Sequence, residues 1–485
     1  MRESGLARYA DLVVSLGIYW GWMSLCFFSI ALFPVSNDPV FCVELFNLIA
    51  LFLNTAVTLL VAVLPARIAS SLERGRFFLP AVFLVGSVGT AVAVLGCGSF
   101  LTVAVGAVVV GIAEGLALYA LCGRVAHWAR SSEDVVAVFS WALVLAAGLY
   151  LAAFCIPDWA RSLVCAGLPV LAATFELLAA RRSAVEDESL RSGNAVVHSK
   201  LSVDRVRDNG DLRKLPWKLL AGLAIFGLAF GLMRISASTQ PLGLFEASYV
   251  AHVLCRLSTA VAALVLIVRM GKAYWVLSTV QLIAFCIGVC AYWLPLENSG
   301  TLTVAATTVG FTCLELLIWV ILFELFSETS APFHSLYGIV RGLVCATILI
   351  ATFLSAFLMG SIGDGAVRTI LVLLLLTMVL VSSLLFGSRN IASLWGLEKP
   401  MLAAPEDRSA VLLSALAQEF SLTPRETEVA ELLMKGRNEP FIAESLFISP
   451  ATAHSHVGHI YAKMGVHSRQ ELLSRVEEIF ARIDV

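Results

Sequence analysis

The chain has 485 residues, of which 59% are hydrophobic and only 14% carry a charge. A soluble domain is about half apolar and about a quarter charged, so this composition argues against an ordinary cytoplasmic enzyme and excludes a disordered or collagen-like chain. The mean hydropathy of +0.88 predicts a polytopic membrane protein. The net charge of −2 averages over unlike segments and identifies no partner.

Long apolar runs fill the first four fifths of the chain. A helix needs about 20 apolar residues to cross a bilayer, and these runs are too uniformly apolar for the strands of a membrane barrel. The sequence therefore predicts twelve membrane-spanning helices, at residues 12–33, 41–64, 77–96, 100–122, 135–155, 162–180, 216–233, 246–268, 274–294, 302–326, 336–360 and 366–386.

Two polar segments divide the chain. Residues 181–215 have mixed charge and almost no aromatic residues, which is typical of a flexible loop, and they separate the runs into six and six. Residues 387–420 are interpreted as a linker and residues 421–485 as a small soluble helical domain. The predicted fold class is all-α: a membrane domain over residues 1–386, then the linker and the soluble domain.

The distribution of Lys and Arg predicts the orientation. With twelve spans, the side that holds both termini has 17 Lys and Arg residues before the soluble domain, and the other side has only Arg161 and Arg234. Since basic loops stay in the cytoplasm, both termini, the 181–215 loop and the soluble domain are predicted to be cytoplasmic. The expected location is the inner membrane of a bacterium.

Helix-capping signals divide the soluble domain into four short helices. Thr423, Pro424 and Glu426 form a capping box that opens the first helix, and Asn438 can cap the second. Ser449 and Pro450 open the third, which ends at Gly465, and a second capping box begins at Ser468. Three sets of residues form the expected apolar faces: Val429, Leu432 and Leu433; Ile442, Ala443 and Leu446; Ala453, Val457, Ile460 and Met464.

The second and third helices have the layout of a helix-turn-helix, in which the later helix enters the major groove of DNA. Polar or cationic side chains are predicted on its exposed face: Thr452, His454, Ser455, His456, His459 and Lys463. No Asp or Glu occurs from Leu446 to Gln470, which favours the approach of phosphate. Zinc binding by His454, His456, His459 and His467 is the less favoured alternative, so no metal or other cofactor is expected.

The segments LTPRETEVAELL, IAESLFIS and HIYAKMGVHSRQEL closely resemble the LuxR-type helix-turn-helix of bacterial transcription regulators. This resemblance implies that His454 and Ser455 read bases and that Thr452 and Lys463 contact the DNA backbone. Pro440 and Gly458 stand where the family often has basic residues. Such losses imply weak DNA binding by one domain, strengthened by dimerisation or a high local concentration.

The arrangement of six spans, a cytoplasmic loop and six spans resembles the major facilitator superfamily. A degenerate version of the superfamily's basic motif follows the second span, at Glu73, Arg74, Gly75 and Arg76, although an ordinary basic loop explains it equally well.

Glu114, Arg256 and Glu315 lie deepest in the apolar runs, where charges are costly, and are candidates for a signal-binding site. Arg256 and Glu315 lie at similar depth and could instead form a structural pair. Six other charges lie nearer the ends of their runs, where snorkelling to the interface explains them: Glu44, Glu176, Glu246, Glu324, Arg341 and Arg368.

These features predict a membrane-bound transcription regulator rather than an enzyme. A transporter-like sensor would control a DNA-binding domain, and DNA, the lipid bilayer, a small-molecule ligand and a second copy of the chain are the expected partners. The alternative is a solute transporter of the major facilitator type with an appended regulatory domain.

Overall fold

The structure, a computed structural model, divides into two compact units, Met1–Leu397 and Glu398–Val485. It describes residues 3–27, 32–33, 39–75, 77–96, 99–192, 215, 217–238, 242–270, 274–293, 299–328, 331–362, 369, 373, 377, 416–417, 420, 422–434, 439–446, 448–466, 468, 471–472 and 475. Within these residues the chain forms helices and no strand, so the predicted all-α class is confirmed.

Twelve described helices belong to the first unit. They are α1 (Glu3–Phe27), α2 (Pro39–Ala62), α3 (Ala66–Arg74), α4 (Phe78–Leu95), α5 (Phe100–Trp128), α6 (Ser132–Phe154), α7 (Asp158–Ser192), α8 (Trp217–Ser238), α9 (Leu242–Met270), α10 (Tyr274–Trp293), α11 (Ser299–Glu328) and α12 (Phe333–Ile362).

Eight of the described helices contain a stretch long and apolar enough to cross a membrane: α1, α2, α4, α5, α6, α7, α11 and α12. The helices α9 and α10 contribute shorter apolar stretches, at Val250–Leu266 and Thr279–Gly288. Eleven of the predicted runs coincide with described helices, whereas most of the run at 366–386 lies outside the described residues. The protein is a multi-pass membrane protein, and the number twelve stays a prediction.

Two details differ from the sequence prediction. The helix α7 continues to Ser192, past the predicted loop start at residue 181, and residues 193–214 lie outside the described part of the chain. The predicted basic loop after the second span contains the short helix α3, Ala66–Arg74, where the sequence analysis expected no helix. Its polar and apolar residues alternate with helical period, a pattern that an apolar-run search does not detect.

The outer surface of the first unit is apolar. Large hydrophobic side chains point outward along several helices, including Phe52, Leu60, Val88, Leu101 and Phe357. The interior holds aromatic side chains, and the indole of Trp22, fully buried, donates to Thr90 Oγ1 at 3.1 Å. Exposed apolar surface around an interior with hydrogen-bonded polar groups suits a bilayer and would be unfavourable in water.

Glycines let the helices of the first unit approach closely. A Cβ added to Gly111 of α5 would lie 2.5 Å from the carbonyl oxygen of Ala50 on α2, and one added to Gly231 of α8 would lie 2.5 Å from that of Ile348 on α12. Small residues at such crossings permit backbone contact that drives helix packing in lipid. Helices from before and after the 181–215 segment also meet, through α2 with α12 and α6 with α9.

The second unit contains three described helices, α13 (Pro424–Met434), α14 (Glu439–Ser445) and α15 (Pro450–Met464). Its core contains most of the predicted apolar faces, among them Val429, Ile442, Ala453 and Ile460, and Leu416 joins it from before the predicted domain start. The capping residue Asn438 and most of the predicted fourth helix lie outside the described residues. The backbone N–H of Glu471 nevertheless donates to Ser468 Oγ at 3.2 Å, as the second capping box predicts.

Candidate nucleic-acid interface and membrane-buried charges

The helix α15 begins and ends where its sequence predicts. The Ser449 hydroxyl accepts from the N–H of Thr452 at 3.1 Å, Pro450 is the first helical residue, and Gly465 closes the helix in the left-handed conformation with φ of 66°. Glycine adopts this conformation without the steric cost that a side chain brings. These caps fix the ends of α15. Its apolar face sets the rotation of the helix, with Ala453 and Val457 toward the core.

The opposite face of α15 is the candidate DNA-contacting surface. Thr452, His454, Ser455, His459 and Lys463 are exposed there, and His456 is half-buried. The helix therefore presents five of the six predicted side chains to solvent on a rigid element. A helix of this length, with short polar side chains near its N-terminus, can place them against base edges in a major groove.

Two carboxylates from other helices lie against this surface, and the sequence analysis missed both. The Nδ1 atom of His454 lies 3.0 Å from Glu439 Oε2 on α14. The Lys463 ammonium donates to Glu426 Oε2 on α13 at 2.6 Å, and His459 Nδ1 lies 4.0 Å from Glu426 Oε1. The sequence of α15 contains no Asp or Glu, but two carboxylates still lie at its surface. Tertiary packing supplies them from helices that precede α15.

Glu426 has two roles in the soluble domain. Its carboxylate accepts from the N–H of Thr423 at 2.7 Å, and its own N–H donates to Thr423 Oγ1 at 3.3 Å, which is the predicted capping box. The hydrogen bonds from Lys463 and Thr423 lower the pKa of Glu426 from 4.5 to about 2. The buried carboxylate is therefore an anion at neutral pH, and it joins α13 to α15.

In the membrane unit, Arg256 of α9 and Glu315 of α11 form an ion pair. The Nη2 atom of Arg256 donates to Glu315 Oε2 at 2.6 Å, and both side chains are largely buried. The structure brings together two of the three candidate signal-binding residues. The third, Glu114 of α5, lies instead beside Asn54 of α2 and within electrostatic range of Arg341 on α12.

The sequence analysis assigned Glu176 and Arg341 to snorkelling positions, but the Glu176 side chain and the Nε and Nη1 atoms of Arg341 are buried. Glu176 is buried and accepts from Arg124 Nη1 at 2.6 Å and from the Ser15 hydroxyl, which connects α7 with α5 and α1. Glu324 of α11 accepts from the Ser132 hydroxyl on α6. Distance from the end of an apolar run did not reveal these contacts, because each partner comes from a different helix.

The described residues contain no cluster suited to a metal ion. Among these, no group of three or more His, Cys, Asp and Glu side chains is placed to hold a metal ion. His467, which belongs to the alternative zinc set, lies outside the described residues.

The geometry defines a multi-pass membrane protein that carries a helix-turn-helix domain. Residues 420–476 match the family described as bacterial regulatory proteins, luxR family. The C-terminal unit therefore contains a LuxR-type DNA-binding domain.

Three curated relatives resemble this domain. A putative HTH-type transcriptional regulator of Mycobacterium tuberculosis is 45% identical over 53 residues, which cover 11% of this chain and 6% of that protein. A putative HTH-type regulator of Aeromonas salmonicida is 36% identical over 88 residues, 16% of this chain and 45% of the relative. The oxygen regulatory protein NreC of Staphylococcus aureus is 42% identical over 52 residues, 11% and 24% of the two chains. The chain spans less than half the length of each.

Solved transporters resemble the membrane unit. The human organic anion transporter MFSD10 has a TM-score of 0.52 and 14% sequence identity, over 77% of this chain and 99% of the transporter. A bacterial homologue of the iron transporter ferroportin in its outward-facing state has a TM-score of 0.48 and 12% identity, over 78% and 98% of the two chains. The first likeness shows that the membrane unit shares the overall fold of that transporter.

Proposed function

We propose that the protein is a membrane-bound, sequence-specific transcription regulator in which the transporter-like domain senses a signal and controls the LuxR-type domain. The observation that carries this proposal is the orientation of α15. In a domain that matches the luxR family, this helix buries Ala453 and Val457 and exposes His454 and Ser455. The domain organisation is that of the sequence analysis: sensor over 1–386, linker over 387–420 and DNA-binding domain over 421–485.

On DNA, His454 and Ser455 read base edges, while Thr452 and Lys463 contact the sugar-phosphate backbone. His456 and His459 contribute to the same DNA-contacting surface of α15. An ammonium has three N–H donors, so the hydrogen bond to Glu426 does not by itself prevent Lys463 from contacting a phosphate. The short side chains of His454 and Ser455 near the start of α15 suit direct readout in the major groove.

Two copies of the protein bind together on DNA. Pro440 and Gly458 take positions where LuxR-type domains often carry cations, and both are exposed here. Each missing phosphate contact lowers affinity, especially at physiological salt. A homodimer doubles the number of contacts and compensates for this loss, because the second domain binds at a high effective concentration.

The membrane domain acts as the input. A signal can switch the protein only if it binds two conformations unequally. Glu114 and the pair of Arg256 and Glu315 are buried between helices, where a changed contact alters helix packing. Ligand binding near these charges would shift the membrane domain between conformations and so change how the DNA-binding domains pair.

The protein lies in the bacterial inner membrane with both termini in the cytoplasm. The 17 basic residues on one side against two on the other support this orientation. Reporter fusions after Val206 and Val485 are expected to be active in a cytoplasm-dependent assay. A periplasmic signal at either position would contradict the orientation.

The decisive test maps the DNA bound by the intact protein in cells. We expect occupancy at defined promoters, its loss in the double variant His454→Ala, Ser455→Ala at unchanged membrane levels, and retained occupancy in Glu444→Gln, an exposed control on α14. Uptake of labelled solutes into proteoliposomes tests the alternative. Transport activity with no promoter occupancy would replace the sensor proposal with a transporter.

A further inference from the structure

Buried hydrogen-bond donors gather at one place between α11 and α12. Within the part of the chain that the structure describes, Trp319 Nε1, Tyr337 OH, and Arg341 Nε and Nη1 are shielded from solvent and have no hydrogen-bond partner. We call these three side chains the donor cluster. Buried polar groups in native proteins are nearly always paired, so a local concentration of unpaired donors indicates a missing acceptor.

The three side chains are neighbours in space. Arg341 Cζ lies over the Trp319 ring at 5.8 Å from its centroid. The rings of Trp319 and Tyr337 are stacked with centroids 6.4 Å apart. Tyr337 and Arg341 are one helical turn apart on α12, so their side chains share a face. The three side chains therefore lie together at one place in the helix bundle.

Aromatic rings surround the donor cluster. Phe139 of α6 stacks on Trp319 with centroids 4.9 Å apart, and Tyr119 of α5 packs on Tyr337 at 5.5 Å. Trp319 and Tyr337 are buried, whereas part of Arg341 stays accessible. The cluster therefore combines apolar walls with a cation that retains accessible surface.

Arg341 differs from the other deep arginine. Arg256 has its carboxylate partner, Glu315, at 2.6 Å. Arg341 lies within electrostatic range of Glu114 and Glu315, yet its Nε and Nη1 donate to neither. The guanidinium is a permanent cation, and its N–H groups bind a carboxylate more strongly than a neutral acceptor. The acceptor that fits the cluster is therefore a carboxylate from outside the chain.

Glu114 defines the other end of the ligand. Its Oε2 atom is buried and accepts no hydrogen bond from the described residues. A ligand that carried only a carboxylate would leave this oxygen without a hydrogen-bond donor. A ligand that also carries a donor, such as an amino or hydroxyl group, would satisfy Glu114 and Arg341 together.

We infer that the donor cluster and Glu114 bind a small organic acid that carries a hydrogen-bond donor. The carboxylate is held by Arg341, Tyr337 and Trp319, and the donor points to Glu114. This inference rests on the proposed sensing function for its biological role. The binding chemistry itself rests only on the unpaired groups and their positions.

The test uses the full-length protein in lipid nanodiscs and three probes: 4-aminobenzoate, which has both groups, benzoate, which has only the carboxylate, and aniline, which has only the donor. A thiol-reactive dye reports thermal unfolding, because Cys26, Cys165 and Cys313 are buried in the folded membrane unit. We expect the rise in melting temperature to follow the order 4-aminobenzoate, benzoate, aniline, since binding to the folded state stabilises it.

Three variants separate binding from folding. Arg341→Gln should weaken 4-aminobenzoate binding about tenfold or more, because it removes charged hydrogen-bond donors. Tyr337→Phe keeps the ring and removes only the unpaired hydroxyl, so the ligand-free protein should melt at the same or a higher temperature while binding weakens. Arg67→Gln, an exposed arginine on α3, is the matched control and should bind normally.

Equal stabilisation by aniline and 4-aminobenzoate, no stabilisation by any probe, or unchanged binding in Arg341→Gln would each overturn the inference. DNA titration with and without 4-aminobenzoate tests the sensing function separately. If the probe binds through Arg341 but leaves DNA affinity unchanged, the inference stands and sensing through this site fails. If DNA affinity responds to the probe equally in Arg341→Gln, sensing stands and the inference fails.

Discussion

The Lys463 ammonium lies 2.6 Å from the Glu426 carboxylate that also caps α13, so a proposed DNA-contacting cation helps to hold its own domain together. The contact joins the first and third described helices of the LuxR-type domain. Loss of DNA binding in a Lys463 variant would therefore mix two effects, one on the interface and one on the fold. The predictions for this domain separate them.

The first prediction concerns acid stability. Because the pKa of Glu426 is about 2 in the folded protein and ordinarily 4.5, its ionised form stabilises the domain above about pH 4.5, and this stabilisation is lost as the pH falls toward 2. Between about pH 5 and about pH 3, amide protection of α13 and α15 should fall more steeply in the natural protein than in Glu426→Gln. Hydrogen exchange corrected for intrinsic rates measures this difference. Parallel curves would contradict it.

The second prediction restores a lost cation. A side chain added at Gly458 meets no atom within 4 Å, and the position is exposed on α15. Gly458→Lys should bind DNA more tightly and steepen the dependence of log affinity on log salt concentration by about one unit. Gly458→Ala is the control. It also removes a glycine from the helix interior, which stabilises the helix by about 1 kcal/mol, but it adds no charge. Titrations at several salt concentrations should leave the slope of Gly458→Ala unchanged.

The third prediction concerns the acid beside His454. Glu439 Oε2 lies 3.0 Å from the His454 ring and brings negative charge to the surface that we propose contacts DNA. Glu439→Gln should strengthen DNA binding, since it removes repulsion of phosphate and releases the imidazole. Glu444→Gln makes the same charge change on the exposed part of α14 and is the control. Equal effects of the two variants would show that only net charge matters.

The fourth prediction concerns the ion pair in the membrane. Arg256→Gln or Glu315→Gln leaves one buried charge without its partner at 2.6 Å, which is strongly destabilising. Membrane levels should fall in each single variant, and the exchange Arg256→Glu with Glu315→Arg should restore part of the loss. Normal levels with a locked transcriptional output would instead assign the pair to signal binding. Reporter transcription normalised to the amount of protein in the membrane distinguishes these outcomes.

The fifth prediction concerns helix packing. Gly111→Val would force side-chain atoms against the backbone of Ala50, since a Cβ alone would lie 2.5 Å from its carbonyl oxygen. The yield of monodisperse protein in detergent should drop sharply. Gly148→Val on α6 is the control, because a Cβ there meets nothing within 4 Å. Size-exclusion profiles of the two variants should differ, and similar profiles would mean that α2 and α5 separate without cost.

The sequence by itself determined the features that depend only on residues close together in the chain: helix positions, helix caps and apolar faces. An apolar run long enough to cross a bilayer forms a helix, because a helix pairs its backbone N–H and C=O groups internally. The positions of most membrane helices therefore followed from hydropathy. The caps at Thr423, Ser449 and Gly465 and the apolar face of α15 also followed, because capping and helical period involve residues at most four apart.

Tertiary structure decided which charges meet. Glu426 reaches Lys463, Glu439 reaches His454, and Glu176 reaches Arg124, although each pair is separated by many residues in the chain. Hydropathy placed Arg341 near a helix end and so dismissed it, whereas packing of α11 against α12 brings the Trp319 ring against its guanidinium. The sign and spacing of charges along a sequence cannot reveal such contacts, because helix packing sets the distances between residues on different helices.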